Sequence, residues 1–320
     1  MTVLVLTRED DATADLVIAE LNERAVPVHR LDPGTSFPAA LRLTARVGRL
    51  RDVWEGTLRG EHRTVDLDHV RSVYYRRPSE YALLPGLPEE DAQWAAAEAR
   101  AGLGGVLAAL DCVVVNRPHR NKAAGVKPVA LATAGRCELA VPDTLITNDV
   151  DEARAFVRGL PGGVAAYKGL GTHPPTGVDG EPNALWTTQV HAEEITDSVA
   201  LTAHQFQEWI PKAYEVRVTA VAGQLFAAEI HAGSEASRID FRTDYDSLNY
   251  KVTRVPSHVD GGILRLLDTF KLHYAAMDFL VSQAGDWYLI DLNPNGQWAF
   301  IPELRTPITR ALADLLEAPL

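Results

Sequence analysis

The sequence predicts an α/β protein of three lobes, and three observations support that prediction. Its 320 residues exceed the usual size of one compact domain. The first third alternates between strand and helix patterns, whereas the last third consists mainly of strand patterns joined by turns. After the first third, residues 116–125 hold a proline and several cations without periodicity, which indicates a boundary. We therefore expect an α/β lobe with parallel strands over 1–118, a small α+β lobe over 119–202, and an α+β lobe with an antiparallel sheet over 203–320.

The first lobe opens with a β-α-β pattern. Residues 2–6 form an apolar strand pattern, Asp11 or Thr13 is suited to cap the following helix, and residues 27–31 return as a second strand. Further strands are predicted over 41–47, 53–58, 73–75 and 112–115, and one long Ala-rich helix over 89–110. The turn after the first strand is poor in glycine and shows no dinucleotide fingerprint, so a nicotinamide cofactor is disfavoured.

The other two lobes show mixed patterns. The central lobe has helix patterns over 127–137 and from Asp149 or Val150 to 160, and strand patterns over 144–147 and 164–168. Residues 169–181 are rich in glycine and proline, which indicates a mobile loop or a hairpin. The third lobe is predicted to contain strands over 214–221 and 224–231, a helix over 261–272, a hairpin across 284–285 and a terminal helix after Pro302.

The composition narrows the classes of function. A formal net charge of −12 argues against broad binding to nucleic-acid phosphates, which requires a concentrated cationic face. No stretch approaches the roughly 20 apolar residues of a membrane span. The N-terminus lacks the basic segment of a secretory signal, so we expect a cytoplasmic protein without a membrane or nucleic-acid partner. The only cysteines, Cys112 and Cys137, lie in apolar segments and are interpreted as core thiols.

Three oxygen-bearing side chains near the C-terminus form the most informative pattern. Asp278 precedes a turn, and Asp291 and Asn293 follow it on a second strand pattern. Pairing of the two strands would bring Asp278 and Asp291 side by side, and the period of two aims Asp291 and Asn293 at one face. Such ligands suit Mg²⁺, which takes further oxygens from substrate phosphates, so the pattern predicts a nucleotide-metal site. The alternative is that Asp291 and Asn293 cap the turn before Pro294.

Two lysines in earlier segments are candidates to hold the phosphates of ATP. Lys168 ends an apolar strand pattern just before a glycine-rich segment that could close over a triphosphate. Lys127 offers a second charge from another element. An ordinary surface lysine is the open alternative for each.

An apolar segment is a candidate contact for the adenine ring. Residues 206–210 are interpreted as a strand edge whose backbone could pair with adenine, while Trp209 and Ile210 supply apolar contact. Gln207 and Glu208 belong to the same candidate segment. Packing at an edge strand is an equally open interpretation.

Two short segments place acids and arginines two residues apart. Glu215 and Arg217 share one face of a strand pattern, and Arg238, Asp240 and Arg242 repeat the arrangement. The planar, permanently charged guanidinium suits the charge that builds on a phosphoryl group during transfer. Salt bridges between the neighbours are the open alternative.

With these segments in this order, the chain resembles the ATP-grasp superfamily, and within it the ribosomal peptide maturases of the microviridin or graspetide type. The resemblance spans nearly the whole chain. It rests on Val73-Tyr74-Tyr75-Arg76-Arg77-Pro78, Lys127-Pro128, residues 141–148, Tyr167-Lys168, Gln207-Glu208-Trp209-Ile210, Glu215-Val216-Arg217, Asp240-Phe241-Arg242 and residues 291–298. It implies an ATP-grasp fold whose first lobe is a Rossmann-like, pre-ATP-grasp domain.

The resemblance also implies roles for individual residues. Lys127 and Lys168 would hold the nucleotide, residues 208–210 would contact adenine, and Glu215 would reach the ribose. The metal ligands for Mg²⁺ would be Asp278, Asp291 and Asn293, and the arginines beside the transferred phosphate would be Arg217 and Arg242, with Arg238 as a weaker candidate. The family usually has Glu where this chain has the shorter Asp291, so whether this residue bridges two ions or binds one stays open.

The resemblance implies an ATP-dependent carboxylate ligase. Such an enzyme would phosphorylate Asp or Glu side chains of a ribosomally made precursor peptide and join them to Ser or Thr hydroxyls, or Lys amines, of the same peptide. The products would be macrocyclic ω-esters or amides. A leader segment on the peptide and a homodimer are further expectations from relatives, and residues 172–186 with Glu193 and Glu194 are either docking elements or a plain solvated loop. Two rivals are a ligase that adds amino acids to a protein or peptide and a regulatory ATP-binding protein without turnover.

Overall fold

The first lobe is built on the predicted parallel sheet. The computed structural model describes residues 1–49, 51–61, 63–171 and 186–318. The elements of this lobe are β1 (Thr2–Thr7), α1 (Ala12–Glu23), β2 (Val28–Leu31), α2 (Pro33–Ser36), β3 (Arg42–Gly48), β4 (Arg51–Arg59), β5 (Thr64–Asp66), β6 (Val70–Arg77), α3 (Glu89–Ala99), α4 (Gly105–Ala108) and β7 (Val113–Val115). Four parallel strands lie in the order β2-β1-β6-β7. Asp11 caps α1 by accepting hydrogen bonds from the amides of Thr13 and Ala14, as predicted.

Two details of this lobe go beyond the sequence patterns. Strands β3, β4 and β5 form a separate antiparallel sheet, and β5 was not predicted because three residues are too few to show a period of two. The long Ala-rich helix is present, but α3 continues into α4 through a π-helical segment over Arg100–Gly104.

The central sheet takes in one strand that the sequence division assigns to the third lobe. The elements are α5 (Pro118–Ala124), α6 (Lys127–Arg136), β8 (Thr144–Thr147), α7 (Val150–Gly159), β9 (Val164–Lys168), β10 (Thr188–His191) and β11 (His204–Glu208). The antiparallel strand order is β10-β9-β11-β8. Because β11 lies inside this sheet, the interpretation of residues 206–210 as a strand edge is wrong. The exact lobe boundaries stay a prediction.

The third lobe contains the predicted antiparallel sheet, with residues 249–253 as a fifth strand that the turn patterns did not predict. The elements are β12 (Lys212–Val221), β13 (Gln224–His231), α8 (Glu235–Ile239), β14 (Asn249–Thr253), α9 (Ser257–Phe270), β15 (Tyr274–Ser282), β16 (Trp287–Asn293) and α10 (Pro302–Glu317). The strand order is β14-β13-β12-β15-β16. Residues 238–242 do not form the expected strand, because they follow α8 into a turn.

One hydrophobic core joins the first lobe to the third. It contains Val17 of α1 and Tyr74 of β6, packed with Trp298 and with Ile308 and Leu312 of α10. The first lobe is therefore fixed against the sheet that bears the acidic site, and burial of this shared apolar surface is the main force that holds them together.

Two further predictions from the composition concern membrane-spanning helices and the cysteines. Among the helices that the described ranges contain, none combines the length and apolar character that a bilayer crossing requires. The two cysteines are free and buried, which confirms their interpretation as core thiols.

Candidate active site

A cleft between the central sheet and the third sheet collects most of the predicted site residues. The empty space in the cleft, which opens to solvent, is about 660 Å³. The predicted residues that line it are Lys127, Lys168, Gln207, Glu208, Trp209, Ile210, Glu215, Arg242, Asp278 and Asp291. Arg217, Arg238 and Asn293 do not line it. The cleft thus brings Lys127 and Lys168 together with the acids of the third lobe.

The two aspartates lie side by side, as the pairing of the two strand patterns predicted. Asp278 of β15 pairs directly with Asp291 of β16. The next pair joins Phe279 to Leu289, so Ile290 is an extra residue at a bulge, and both Ile290 and Asp291 face the cleft. Two carboxylates that open onto a cleft match the way proteins bind Mg²⁺, which takes its other ligands from water and substrate phosphates.

Asn293 has a structural partner of its own. Its Oδ1 accepts a hydrogen bond of 3.0 Å from the amide of Asn295, so for Asn293 the turn-capping alternative describes the structure. Across the ranges that the structure describes, no group of three or more His, Cys, Asp and Glu side chains is placed to hold a metal. The predicted metal ligands that open onto the cleft are thus the two aspartates, and Asn293, whose amide oxygen keeps a second lone pair, stays a predicted ligand beside them.

Lys168 projects from the end of β9 into the cleft. Its Nζ donates a hydrogen bond of 2.8 Å to Oε1 of Gln207, whose Nε2 in turn donates to Oγ1 of Thr144 at 2.9 Å. Burial, followed by the nearby charge of Lys127, lowers the pKa of Lys168 to about 8. The Nζ of Lys127 lies 3.8 Å from Oδ1 of Asp291. Neither lysine is therefore the ordinary surface lysine of the alternative interpretation.

Lys212 belongs to the cleft and was not identified from the sequence. Its Nζ donates to Oε1 of Glu215 at 2.6 Å and to the carbonyl of Ile239 at 3.2 Å. Burial raises the pKa of Glu215, and the charge of Lys212 opposes that rise. A period of two would place Lys212 and Glu215 on opposite faces, but a register shift between Lys212 and Tyr214 brings them together. No local sequence signal marks that shift.

Arg217 lies behind the acid pair, buried to 7% exposure. It faces Asp278 across the β12–β15 ladder and donates to Oδ1 of Asp278 at 2.6 Å. Its other terminal nitrogen donates to the carbonyl of Gln297 at 2.8 Å, and its guanidinium lies 5.6 Å from the centre of the Phe300 ring. The salt bridge therefore runs to Asp278 and not to Glu215.

Asp240 and Arg242 form the salt bridge that the alternative interpretation allowed. Arg242 donates to both carboxylate oxygens of Asp240, at 2.8 and 2.5 Å, and lies 5.5 Å from the centre of the Trp186 ring. Although burial acts to raise it, the pKa of Asp240 falls to about 2 because of these bonds and one from the amide of Thr187. Arg238, by contrast, is exposed on α8 and outside the cleft.

Residues 207–210 connect the two walls of the cleft. The amide of Glu208 donates to the carbonyl of Asp143 at 2.7 Å, and beyond β11 the chain passes through Trp209 and the buried Ile210 to β12. All four side chains line the cleft. The segment can therefore supply both backbone and apolar contacts to a planar ring, although it is not an edge strand.

Comparisons with known proteins fit this arrangement. The family model described as the MvdD pre-ATP grasp domain matches residues 2–122. A RiPP-associated ATP-grasp ligase from Chryseobacterium gregarium, solved in complex with ADP and a leader and core peptide, is 26% identical with a TM-score of 0.89, over 99% of this chain and 97% of that one. No curated protein matches the sequence.

Two further solved structures are macrocyclases from Microcystis aeruginosa MRC. MdnB is 26% identical with a TM-score of 0.77, and MdnC, bound with precursor peptide MdnA, is 24% identical with a TM-score of 0.85. Each comparison covers 99% of both chains. The fold of this chain is the ATP-grasp fold, and its resemblance to ATP-grasp peptide maturases is confirmed.

Proposed function

We propose that this protein is an ATP-dependent ligase that closes macrocycles in a ribosomally made peptide. It activates Asp or Glu side chains of the peptide and joins them to Ser or Thr hydroxyls, or Lys amines, of the same chain as ω-esters or amides. The observation that supports this most is the pairing of Asp278 with Asp291 in a cleft that Lys127 and Lys168 also line. The likeness to a ligase solved with ADP and a leader and core peptide supports the choice of substrate.

The cleft divides into an adenine end and a phosphate end. Trp209 and Ile210 offer the adenine its apolar contact, and Glu215, which also lines the cleft, would reach the ribose. Lys127 and Lys168 neutralise the phosphates. Mg²⁺ held by Asp278 and Asp291 would supply charge neutralisation on the phosphate oxygens during transfer.

The chemistry proceeds in two displacements. A carboxylate oxygen of the peptide attacks the γ-phosphorus of ATP, the bond from the γ-phosphorus to the bridging oxygen breaks, and ADP leaves. A hydroxyl or amine of the peptide then attacks the acyl carbon, loses its proton, and expels phosphate. Arg217 and Arg242 offset the negative charge that develops, and the binding of both peptide groups in one cleft lowers the entropic cost.

Mass spectrometry of the reacted peptide tests this proposal. The purified protein is incubated with magnesium ATP and short candidate peptides rich in Thr and in Asp or Glu. A loss of one water per bond formed, absent without ATP, supports macrocyclisation. A gain of amino-acid residues would favour the amino-acid ligase, and nucleotide binding without ADP release on any carboxylate peptide would favour the regulatory protein.

Recognition of a leader segment and formation of a homodimer remain part of the proposal. Glu193 and Glu194 lie exposed on a turn after β10, and Glu194 accepts a hydrogen bond of 2.7 Å from the amide of His191. Residues 172–185, the other candidate docking element, lie outside the described residues.

A further inference from the structure

The loop that follows the acidic strand β16 is held by side chains from two lobes. Four consecutive carbonyls, those of residues 294–297, each accept a hydrogen bond from a different side chain. The donors are Asn116 to Pro294 at 2.9 Å, Arg76 to Asn295 at 2.6 Å, Tyr274 to Gly296 at 2.7 Å, and Arg217 to Gln297 at 2.8 Å. The first two donors belong to the first lobe. Such complete use of the backbone acceptors leaves this loop, residues 294–297, little freedom to move.

Arg76 makes the largest contribution from the first lobe. It lies at the end of β6 with only 1% of its surface exposed. One terminal nitrogen donates to the carbonyl and the side-chain oxygen of Asn295, at 2.6 and 3.1 Å, and the other donates to Oε1 of Gln297 at 2.6 Å. Oγ1 of Thr13 donates to the same Gln297 oxygen at 2.8 Å. A buried arginine fork that engages two residues of one loop fixes that loop in position and orientation.

Gln297 connects this fork to the site. Its side chain binds Arg76 and Thr13, and its main-chain carbonyl accepts from Arg217, which also binds Asp278. The carboxyl ends of β1 and β6, where Rossmann-like folds bind their ligands, therefore bind a loop of the chain itself. The first lobe thus contacts the group that the proposed function places beside the transferred phosphate.

We infer that Arg76 is a positioning residue, which acts through Gln297 to hold Arg217 where it meets the terminal phosphate of ATP. The inference rests on the proposed function, because it assigns the γ-phosphate to Arg217. Arg76 is almost fully buried and its terminal nitrogens are bonded to Asn295 and Gln297, so its effect on the site runs through the loop. Loosening the loop should thus weaken binding of a nucleotide with a γ-phosphate more than binding of one without it.

Nucleotide affinities of three variants test the inference. Arg76→Met removes the fork, and Gln297→Met removes only the side-chain acceptor while it retains the carbonyl that Arg217 uses. Ser72→Ala is the matched control, because Ser72 lies on the same strand and donates a buried hydrogen bond of 2.7 Å to the carbonyl of Leu316, which belongs to α10 and not to the loop. Calorimetry measures the affinities for magnesium AMPPNP and magnesium ADP, and hydrogen exchange of residues 293–298 is followed in the ligand-free protein.

The ratio of the AMPPNP affinity to the ADP affinity distinguishes a positioning role of Arg76 from a purely structural one. We expect both loop variants to lower the preference for AMPPNP over ADP by about tenfold, the size of one lost charge-assisted hydrogen bond, and to speed exchange of residues 293–298. Ser72→Ala should change neither. An unchanged ratio of AMPPNP to ADP affinity in Gln297→Met, or an equal fall of that ratio in Ser72→Ala, would overturn the inference. If Arg76→Met does not fold, the result for Gln297→Met decides alone.

Absence of nucleotide binding by the unmodified protein has a separate meaning. It would defeat the proposed function, and hydrogen exchange would then decide whether Arg76 holds the loop. Faster exchange of residues 293–298 in the two loop variants than in Ser72→Ala would support the claim that Arg76 holds the loop. Equal exchange in all three variants would overturn that claim.

Discussion

Nucleotide binding should be coupled to proton uptake at alkaline pH, and Lys168 should be the cause. In the free protein, burial and the charge of Lys127 lower the pKa of Lys168 from 10.5 to about 8. A bound phosphate opposes both effects because it supplies an opposite charge, so the pKa should return toward its ordinary value. Below pH 8 the lysine is already protonated, and binding requires no proton. Above pH 8 binding must take one from solution.

The size of the effect follows from the shift. At pH 8.5 a group with a pKa near 8 is about one-quarter protonated, and a group restored to its ordinary pKa is fully protonated, so binding should take up ~0.7 proton. At pH 6.5 the uptake should be close to zero. The apparent affinity should fall with rising pH from about 8 upward, by up to tenfold per pH unit.

Calorimetry in buffers of different ionisation enthalpy measures this uptake directly. The heat of magnesium ADP binding at pH 8.5 should vary with the buffer, and the slope gives the number of protons. Lys168→Met should abolish the slope. The control Lys271→Met should retain it, because Lys271 is exposed at the C-cap of α9, where it forms an ion pair with Asp268. Heat that is independent of the buffer at pH 8.5, or a slope that survives in Lys168→Met, would refute the reasoning.

Three further predictions concern stability. Gly296→Ala should lower the free energy of unfolding in urea by about 1–3 kcal/mol, because the new Cβ would lie 2.6 Å from the Cβ of Ala276. Gly135→Ala is the control, and it should be neutral or stabilising because the space around Gly135 is open. Equal losses in the two variants would contradict this prediction. Asp240→Asn should destabilise the protein at pH 7. Since the folded pKa of Asp240 is near 2, that difference should shrink as the pH falls below about 4, and a constant difference would contradict a lowered pKa of Asp240. Arg217→Met should lower the free energy of unfolding by about 3–5 kcal/mol, because it leaves the carboxylate of Asp278 without its partner. Adding Asp278→Asn should recover part of this loss. A double variant no more stable than Arg217→Met would argue against the pair.

Regular strands allowed the centre of the site to be predicted from sequence. The pairing of Asp278 with Asp291 required only two strand patterns and the short turn between them, and each is a local pattern. The β-α-β opening and the cap at Asp11 are equally local. The predictions therefore succeeded where a few neighbouring residues determine the conformation.

The errors have an equally physical origin. Lys212 was missed because a register shift, which no residue type announces, reverses the face on which it lies. The segment around Asp240 has strand spacing but follows a short helix into a turn. The place of β11 in the central sheet depends on pairing with β8 and β9, which lie far away in the sequence.

Long-range hydrogen bonds were beyond sequence reasoning. Arg76 and its partner Asn295 are 219 residues apart, so the side-chain pattern of either segment gives no sign of the other. Arg76 entered the sequence analysis only as part of a motif shared with relatives. The structure gives that residue a physical role, because it shows which loop the buried fork holds.

Magnesium dependence of nucleotide binding tests the central claim most directly. ADP is titrated into the unmodified protein and into Asp291→Asn, first with Mg²⁺ and then with a chelator. The account predicts that Mg²⁺ strengthens binding to the unmodified protein by at least about tenfold and that Asp291→Asn loses most of this gain. Equal affinity with and without Mg²⁺, or no binding at all, would contradict the assignment of this cleft.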